Sequence, residues 1–421
     1  MSEQTVTLVD YNTLLDPYAA YRYLRDHSPV HFEPMLGAYI VTRYDLVRDA
    51  IRHTATFSSK FDGYLAKSRE IAFAGAPADV QAQLLDIESR MIPIPPTMLT
   101  LDEPEHTQYR SLVSQLFTGS EVRKSEEAVQ AVVDTRIAAL RGRNAADFVT
   151  DFAFPVPLRI IGDRLGIPEA DRALFDEGAT AAAAALRLTP LTPDLLLHRA
   201  TLGLALQELL VRLIEERRRE PRQDMITLLA TSRLEKADRL LTHGEALGIL
   251  NQFLVAGHET TTSTFGWGML LLCRQPELQE QLRGQPRLIR TFVEEALRLE
   301  SPVQGLPRLV TRDTELGGQA LKAGDFVMLR YGAANRDERQ FDNPDAVDIH
   351  REKAGMQLAF GSGVHHCIGA PLARQELNLG FAALLEHFRD FRLAEGHAPP
   401  EAEPSFILRN LPHLHVTYAP R

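Results

Sequence analysis

A single cysteine, Cys367, lies in a glycine-rich segment that runs from Phe360 to Pro371, directly before apolar residues at helical spacing. A thiolate at the N-terminus of a helix is stabilised by unpaired amide groups and by the positive end of the helix dipole. Gly361 and Gly363 allow a sharp turn and a close approach to something flat. The pattern indicates a metal-binding thiolate, whereas a cysteine without this context is usually a small core residue.

A second chemically unusual segment, from Ala256 to Thr262, places a histidine, an acid and three threonines inside a long apolar run. Gly257 and the β-branched threonines are poor choices for the middle of a helix. The Thr260 hydroxyl could bond the carbonyl of Ala256 and open the helix locally. Small residues at 256 and 257 would let a ligand approach the backbone. The alternative is a packing notch with satisfied polar groups.

A long helix is predicted to carry this threonine segment. Thr242 and Glu245 form a capping-box pattern, in which the threonine caps the helix and the acid reaches back. The next helix breaker is Pro276, so the helix should contain about 30 residues and measure roughly 45 Å. Polar side chains in its middle, such as Asn251 and Gln252, argue against a helix that faces lipid.

The spacing Phe-Gly-x-Gly-x-His-x-Cys-x-Gly resembles the haem-binding loop of the cytochrome P-450 (P450) family, and the threonine segment resembles its oxygen-binding motif, small-Gly-x-acid-Thr-Thr. The resemblance implies that Cys367 is the metal ligand, a proximal thiolate whose electron density favours O–O cleavage. It also implies that Glu259 and Thr260 are catalytic: Thr260 is the alcohol beside bound oxygen, and Glu259 feeds its proton relay. The acid is Glu here, while Asp is also common in the family, and His258 stands at a variable position.

The same resemblance assigns residues to haem b, iron protoporphyrin IX, with dioxygen as co-substrate. Phe360 would pack beside the sulfur-bearing face. The propionates are anionic and need cations. His365 would supply one of them, and His106, Arg110 and Arg308 would supply the others. A His/Arg pair four apart on a helix is otherwise usually just exposed. The implied cofactor-binding residues are His106, Arg110, Ala256, Gly257, Arg308, Phe360, Gly361, His365, Cys367 and Gly369.

The pair Glu295 and Arg298 lies three residues apart on one predicted helix face. Taken alone, such a pair is an ordinary surface salt bridge. It matches the family's Glu-x-x-Arg, which is structural and locks the core behind the haem. We therefore do not count it among the catalytic residues.

The elements predict a fold that is mainly α with small β-sheets. Short strands are expected near 31–41 and 313–329, and a strand–turn–strand over 406–416 with Asn410 at its tip. Three prolines make residues 91–99 irregular or extended. The resemblance implies a single P450 domain over residues 1–421, with the N-terminal ~15 residues loosely ordered. Haem would lie between the long central helix and the helix that follows the cysteine loop.

Composition bounds the partners and the compartment. The chain has 421 residues, is 44% hydrophobic and carries a net charge of −10, which argues against nucleic acid or an anionic membrane. Two cysteines exclude a disulfide framework and suit a reducing compartment, the cytoplasm. The N-terminus lacks a basic region followed by an apolar run, so we expect no signal peptide or membrane anchor. The chain looks like the soluble bacterial type, too short for a fused reductase, and we expect a monomer.

The function implied by the resemblance is a monooxygenase that inserts one atom of dioxygen into a lipophilic organic molecule. Electrons would come from NAD(P)H through a ferredoxin or flavodoxin and its reductase. The carrier would dock under Cys367, where Arg374 and Arg110 offer positive charge. Gln304 could orient one polar group of the substrate, or it could bond backbone. The candidate substrate contacts are largely apolar: Ile94, Phe253, Val303, Gln304, Leu306 and Leu411.

Two other functions remain open from the sequence. One is a peroxide-driven haem-thiolate peroxygenase, against which the intact Glu259–Thr260 pair argues because that pair serves the dioxygen route. The other is a non-catalytic haem protein, a gas sensor or an electron carrier. No sensor or output segment is visible in the sequence, and a carrier would not need the oxygen-side pair.

Overall fold

The computed structural model describes residues 6–64, 73–184, 192–234 and 237–421, to which every structural feature below belongs. Its helices are α1 Tyr11–Leu15, α2 Tyr18–His27, α3 Tyr44–Arg52, α4 Ala78–Arg90, α5 Glu105–Ser114, α6 Gly119–Lys124, α7 Glu126–Leu140, α8 Pro155–Leu165, α9 Arg172–Ala184, α10 Pro193–Arg219, α11 Met225–Thr231, α12 His243–Arg274, α13 Pro276–Gly284, α14 Ile289–Leu299, α15 Tyr331–Ala334 and α16 Ala370–His387. Its strands are β1 Val30–Glu33, β2 Ala38–Val41, β3 Phe57–Ser58, β4 Ala145–Asp147, β5 Arg233–Leu234, β6 Arg239–Leu240, β7 Gly305–Val310, β8 Thr314–Leu316, β9 Gln319–Leu321, β10 Phe326–Arg330, β11 Phe388–Leu393 and β12 His415–Pro420. The fold is mainly α with small β-sheets, which confirms the predicted class.

The chain divides into two compact units. The first contains Met1–Ser58, Gly119–Pro157 and Glu259–Arg421, and the second contains Ser59–Thr118 and Leu158–His258. Helix α12 contributes residues to both units. The expectation of a single domain over the whole chain stays a prediction.

The segment before α2 is attached to the first unit. The side chain of Leu8 is buried, and its amide donates to Oε2 of Glu33 at 3.1 Å. Asp10 caps α1, because its Oδ1 accepts from the amide of Thr13 at 3.1 Å. Residues 6–15 therefore have defined contacts, whereas the sequence suggests loose order for the N-terminal ~15 residues. Residues 1–5 lie outside the described ranges.

The largest sheet of the first unit has the strand order β1-β2-β10-β7-β3. β1 and β2 form an antiparallel hairpin, β10 runs parallel to β2, and β7 runs antiparallel to β10. One face of this sheet is buried with α3 in a core that includes Val41, Val327 and Leu329. The strands expected near 31–41 and 313–329 are present, and β7 is the strand that carries Arg308.

A three-stranded sheet in the order β11-β12-β4 also belongs to the first unit. The expected strand–turn–strand over 406–416 with Asn410 at its tip is wrong. Before β12 the segment contributes an isolated bridge at Leu408, and residues 409–414 have no regular structure. The reason is that Arg409 donates its amide to the carbonyl of Pro302 at 3.0 Å instead of pairing across a turn.

In the second unit, residues 92–97 are irregular, as their prolines predict, and they lie against the first turns of α12. A Cβ at Gly244 would stand 2.3 Å from the carbonyl oxygen of Pro93, so only glycine allows this approach. Gln207 on α10 holds the same segment. Its side-chain amide accepts from the Ile92 amide at 2.6 Å and donates to the Ile92 carbonyl at 3.0 Å.

Helix α12 spans 32 residues and begins at the predicted cap. The amide of Glu245 donates to Oγ1 of Thr242 at 3.2 Å, and the amide of Thr242 donates to Oε2 of Glu245 at 2.8 Å, which confirms the capping box. Burial alone would raise the pKa of Glu245, but hydrogen bonds from Arg239, Thr242 and Tyr109 lower it to about 2. Among the described residues, no helix has both the length and the apolar character needed to cross a membrane.

Candidate functional site

The loop that carries Cys367 is closed by its own backbone. The amide of Cys367 donates to the carbonyl of Phe360 at 2.9 Å. Gly361 and Gly363 have φ values of +66° and +67°, a region that L side chains rarely adopt. Helix α16 begins at Ala370, whose amide donates to the carbonyl of Cys367 at 3.3 Å. The predicted arrangement, a thiol on a tight glycine loop directly before a helix, is confirmed.

The two cysteines are both half-buried, but they lie in different elements. Cys273 lies in α12, where burial raises the pKa of its thiol to about 12, so it is a poor metal ligand. Cys367 is half-buried, and no residue from 361 to 369 is fully buried. A Cβ at Gly369 would meet only Sγ of Cys367, at 3.9 Å. The backbone at Gly369 is therefore uncrowded on the side next to the sulfur.

Arg374 on α16 supports the cysteine loop. Its Nε donates to Oε1 of Glu294 at 2.5 Å, and its guanidinium lies 4.5 Å from the centre of the Phe360 ring. Phe360 is thereby fixed beside the loop by a cation–π contact. Arg374 forms an ion pair with Glu294, so its positive charge is less available to a docking partner than its sequence position suggests.

The Glu295–Arg298 pair is completely buried, with both side chains 0% exposed. Arg298 donates to both oxygens of Glu295, at 2.7 and 2.9 Å, and to the carbonyls of Asn335, Pro344 and Ala346. All five N–H donors of the Arg298 guanidinium therefore have a partner. The pair joins α14 to the chain that precedes the cysteine loop, which agrees with a structural role and excludes the ordinary surface salt bridge.

The acid of the threonine segment has a partner that the sequence does not reveal. Glu259 is 4% exposed, and Nδ2 of Asn410 donates a hydrogen bond to its Oε1. Asn410 is itself buried and follows Arg409, whose carbonyl accepts from Nε1 of Trp267 at 3.0 Å. The segment that carries Asn410 is therefore held in place, and the amide fixes the orientation of the carboxylate. Sequence reasoning placed Asn410 at a turn and missed this contact.

Around Glu259, the faces of α12 differ in exposure. Thr260 is half-exposed and its carbonyl accepts from the hydroxyl of Thr264 at 2.9 Å. In the second unit, Ala256 is exposed although it lies in the middle of the helix. A Cβ at Gly257 would stand 3.0 Å from the side chain of Ile161, so close packing alone explains this glycine. Its assignment to cofactor binding stays a prediction.

The residues predicted to bind propionates lie in both units, two in each. His106 and Arg110 are one turn apart on α5. Burial lowers the pKa of His106, and the charge of Arg110 lowers it further. Arg308 is 3% exposed on β7 and donates to the carbonyl of Pro307 at 2.8 Å, and His365 is half-buried in the cysteine loop.

The predicted substrate residues fall into two groups. In the second unit, Ile94 is 43% exposed, and Phe253 is buried with its ring stacked on Phe117 at 5.0 Å. In the first unit, Leu411 is buried, while Val303 and Leu306 are half-buried and pack on the core of the large sheet.

Gln304 is engaged at both ends of its amide. Nε2 donates to the carbonyl of Ser301 at 2.7 Å, and Oε1 accepts from the Tyr21 hydroxyl at 3.1 Å. Gln304 is only 2% exposed. The structure therefore favours the alternative in which its amide bonds backbone over the one in which it contacts a substrate.

Residues 88–416 match the family model described as Cytochrome P450. Cytochrome P450 107B1 of Saccharopolyspora erythraea is 34% identical to this chain over 385 residues, which cover 90% of this chain and 89% of that protein. The solved structure of CYP109Q5 from Chondromyces apiculatus has a TM-score of 0.83 and 29% identity, and the likeness covers 99% of this chain and 98% of that one. P450BioI, solved in complex with acyl carrier protein ligated to hexadec-9Z-enoic acid, has a TM-score of 0.82 and 30% identity, with coverage of 97% and 99%. The chain therefore belongs to the cytochrome P450 family of haem-dependent monooxygenases.

Proposed function

We propose that this chain binds haem b through the thiolate of Cys367 and uses dioxygen to oxidise a lipophilic small molecule. The observation that carries the proposal is the half-buried thiol on a closed glycine loop directly before α16. The predicted catalytic, metal-binding and cofactor-binding residues keep their roles in this proposal.

The residues present fit haem. A thiolate is a soft ligand suited to haem iron, and the backbone at Gly369, next to the sulfur, is uncrowded. His106 and Arg110 are two cationic groups whose proximity disfavours charge on the histidine. A propionate bound by both would remove that penalty, and Arg308 and His365 would serve the same purpose in the first unit.

Bound haem would supply the iron at which dioxygen is activated. Cys367 would hold the iron from the loop side. On α12, Thr260 would present its hydroxyl to hold a proton near the oxygen, and Glu259 would pass protons inward from solvent. Asn410 would act on the carboxylate alone, because its amide donates to Oε1 of Glu259 and so limits rotation of the carboxylate.

A lipophilic substrate is supported by the apolar character of the predicted contacts. Phe253, Leu411, Val303 and Leu306 would supply apolar surface, which favours ligands of low polarity. The hexadecenoyl group bound to the carrier protein in the P450BioI complex is of this chemical class. Ile94 remains a candidate at the irregular segment 92–97.

The electron donor is proposed to be a ferredoxin or flavodoxin reduced by NAD(P)H through a reductase. A peroxide-driven enzyme is the alternative, and the buried Glu259–Asn410 contact favours the dioxygen route because a proton relay serves it. Charge reversal at Arg374 would disturb both a docking face and the support of Phe360. Salt dependence of the reduction rate, measured on the unaltered protein, is therefore the cleaner test of docking.

The proposal as a whole is tested with purified holoprotein. A screen of lipophilic compounds should first find ligands that shift the haem spin state. With such a ligand, NAD(P)H consumption through a surrogate ferredoxin system should depend on the ligand and yield an oxygenated product. Product formed with hydrogen peroxide but not with NAD(P)H would support the peroxygenase. A spin-state shift with no product from either NAD(P)H or hydrogen peroxide would indicate a sensor or carrier and contradict the proposal.

Thr260→Ala should uncouple the reaction. Dioxygen and NAD(P)H should still be consumed, but product per NAD(P)H should fall roughly tenfold or more, because the proton-holding hydroxyl is lost. The missing electrons should appear as hydrogen peroxide. Thr264→Ala is the matched control, since its hydroxyl bonds the helix backbone and its loss should leave coupling near the parent value. Parent-like coupling in Thr260→Ala would remove its assigned role.

Asn410→Ala should lower product per NAD(P)H by about tenfold, the effect of one hydrogen bond to a carboxylate. Its role is to position Glu259, so its effect should largely vanish in a Glu259→Gln background. The rate of haem reduction and the spin-state shift with ligand should remain at parent values. Fully additive losses in the double variant would mean that Asn410 acts on substrate or on folding instead.

A further inference from the structure

Three side chains with metal-binding atoms meet on a part of the first unit that the proposed function does not use. Asp147, His413 and His415 each offer a ligand atom, and these atoms lie within 4.8 Å of one another. Asp147 ends β4, His415 begins β12, and His413 lies two residues before it. The sheet places Asp147 and His415, while His413 lies in the irregular chain directly before β12.

The strand register explains why these residues converge. β12 and β4 are antiparallel, and Asp147 is the direct partner of His415. His413 precedes His415 by two residues, and the two rings lie parallel with centres 5.9 Å apart. His397 stacks on the ring of His415 with a centre distance of 3.9 Å, which restricts the orientation of that imidazole.

Asp147 is held in the position of a ligand. Its Oδ1 accepts from the amides of Leu414 at 2.9 Å and Val149 at 3.2 Å. Its Oδ2 accepts from the Thr150 hydroxyl at 2.8 Å and lies 2.7 Å from Nδ1 of His413. These contacts fix the orientation of both carboxylate oxygens.

The donor set selects the class of ion. Two imidazole nitrogens and one carboxylate oxygen suit Zn²⁺ and its neighbours Ni²⁺ and Cu²⁺, whereas Ca²⁺ and Mg²⁺ prefer oxygen ligands alone. With bonds of 2.0–2.2 Å, tetrahedral donors stand about 3.4 Å apart. Donor atoms already within 4.8 Å reach this spacing through small side-chain rotations.

We propose that Asp147, His413 and His415 form a surface site for one divalent transition-metal ion of the Zn²⁺ class. None of these three residues belongs to the cysteine loop or to the threonine segment 256–262. The ion joins β4 to the start of β12 and so ties the chain after the 408–411 segment to the sheet. An ion that binds only the folded state stabilises the protein by an amount that grows with the logarithm of its concentration relative to its Kd.

The test uses holoprotein without a polyhistidine tag, stripped of adventitious ions with a chelator. Calorimetric titration with Zn²⁺ should give one site per chain, and the thermal midpoint should rise with Zn²⁺ concentration. His413→Ala and His415→Ala should each weaken binding at least tenfold, and the double variant should lose the site. Haem spectra should remain unchanged, and unfolding without metal should change only slightly, because both positions are partly or fully exposed.

His53→Ala is the matched control. His53 is 62% exposed beside Asp49, with Nδ1 at 3.1 Å from Oδ1, while His413 is 65% exposed beside Asp147. The pair of His53 and Asp49 has the same chemistry, but among the described residues it does not belong to a group of three metal-binding side chains. The His53→Ala variant should keep the Zn²⁺ affinity of the parent protein. Parent affinity in both His413→Ala and His415→Ala, or an equal loss in His53→Ala, would overturn the site.

Discussion

Replacing Cys367 with serine is expected to abolish the red-shifted Soret band of the ferrous carbonyl complex and, with it, monooxygenase turnover. The band reports a thiolate bound to haem iron, and a serine hydroxyl is not a soft ligand. The Cys367 amide bond to Phe360 and the two glycines of positive φ do not depend on the sulfur, so the loop should keep its shape. The measurement is the carbonyl difference spectrum of the reduced holoprotein.

Cys273→Ser provides the matched comparison. It changes the other cysteine of the chain, whose thiol pKa is raised to about 12 by burial in α12. The red-shifted band and the turnover should both survive, apart from a small loss of stability. A band that persists in Cys367→Ser, or that disappears only in Cys273→Ser, would show that the metal ligand is assigned to the wrong residue.

Arg298→Lys should destabilise the protein by about 3–5 kcal/mol, although it preserves the charge. The guanidinium of Arg298 donates five hydrogen bonds from a completely buried position, to Glu295 and to three carbonyls. An ammonium group cannot reach these partners together, so buried carbonyls lose their donor and Glu295 keeps only its bonds from Asp348 and Arg351. Chemical denaturation of the variant, followed by circular dichroism, measures the change.

An exposed pair with the same spacing separates burial from sequence pattern. Glu121 and Lys124 are also an acid and a base three residues apart, at 2.6 Å, but Lys124 is 69% exposed. Lys124→Ala should change stability by less than about 1 kcal/mol. Equal destabilisation in both variants would contradict the assignment of the large effect to burial. Loss of haem together with loss of stability in Arg298→Lys would agree with a core that supports the cysteine loop.

Local patterns in the sequence were sufficient to predict the shape of the cysteine loop and the start of α12. The cysteine loop depends on glycines within a few residues of Cys367, and the start of α12 depends on Thr242 and Glu245, which bond each other directly. Such features are encoded in short segments, because the partners are near in sequence. The Glu295–Arg298 pair was predicted for the same reason, while its complete burial became visible only in the folded chain.

Contacts between residues far apart in the sequence could not be predicted in this way. Asn410 and Glu259 are 151 residues apart, and Arg374 and Glu294 are 80 apart. Nothing local distinguishes Asn410 from an ordinary turn residue, which is why a turn was expected there. The amide of Gln304 is similar: a polar side chain among apolar neighbours resembles a ligand contact until its partners are known.

The indole of Trp267 gives the 408–411 segment an intrinsic optical probe. This chain has a single tryptophan, and Nε1 of its ring donates to the carbonyl of Arg409 while the ring lies 4.5 Å from the Arg409 guanidinium. All tryptophan emission of this chain therefore comes from one ring, which lies against Arg409, the residue that precedes Asn410. A change in its wavelength or lifetime on ligand binding would report movement of the chain next to Glu259, without any added label.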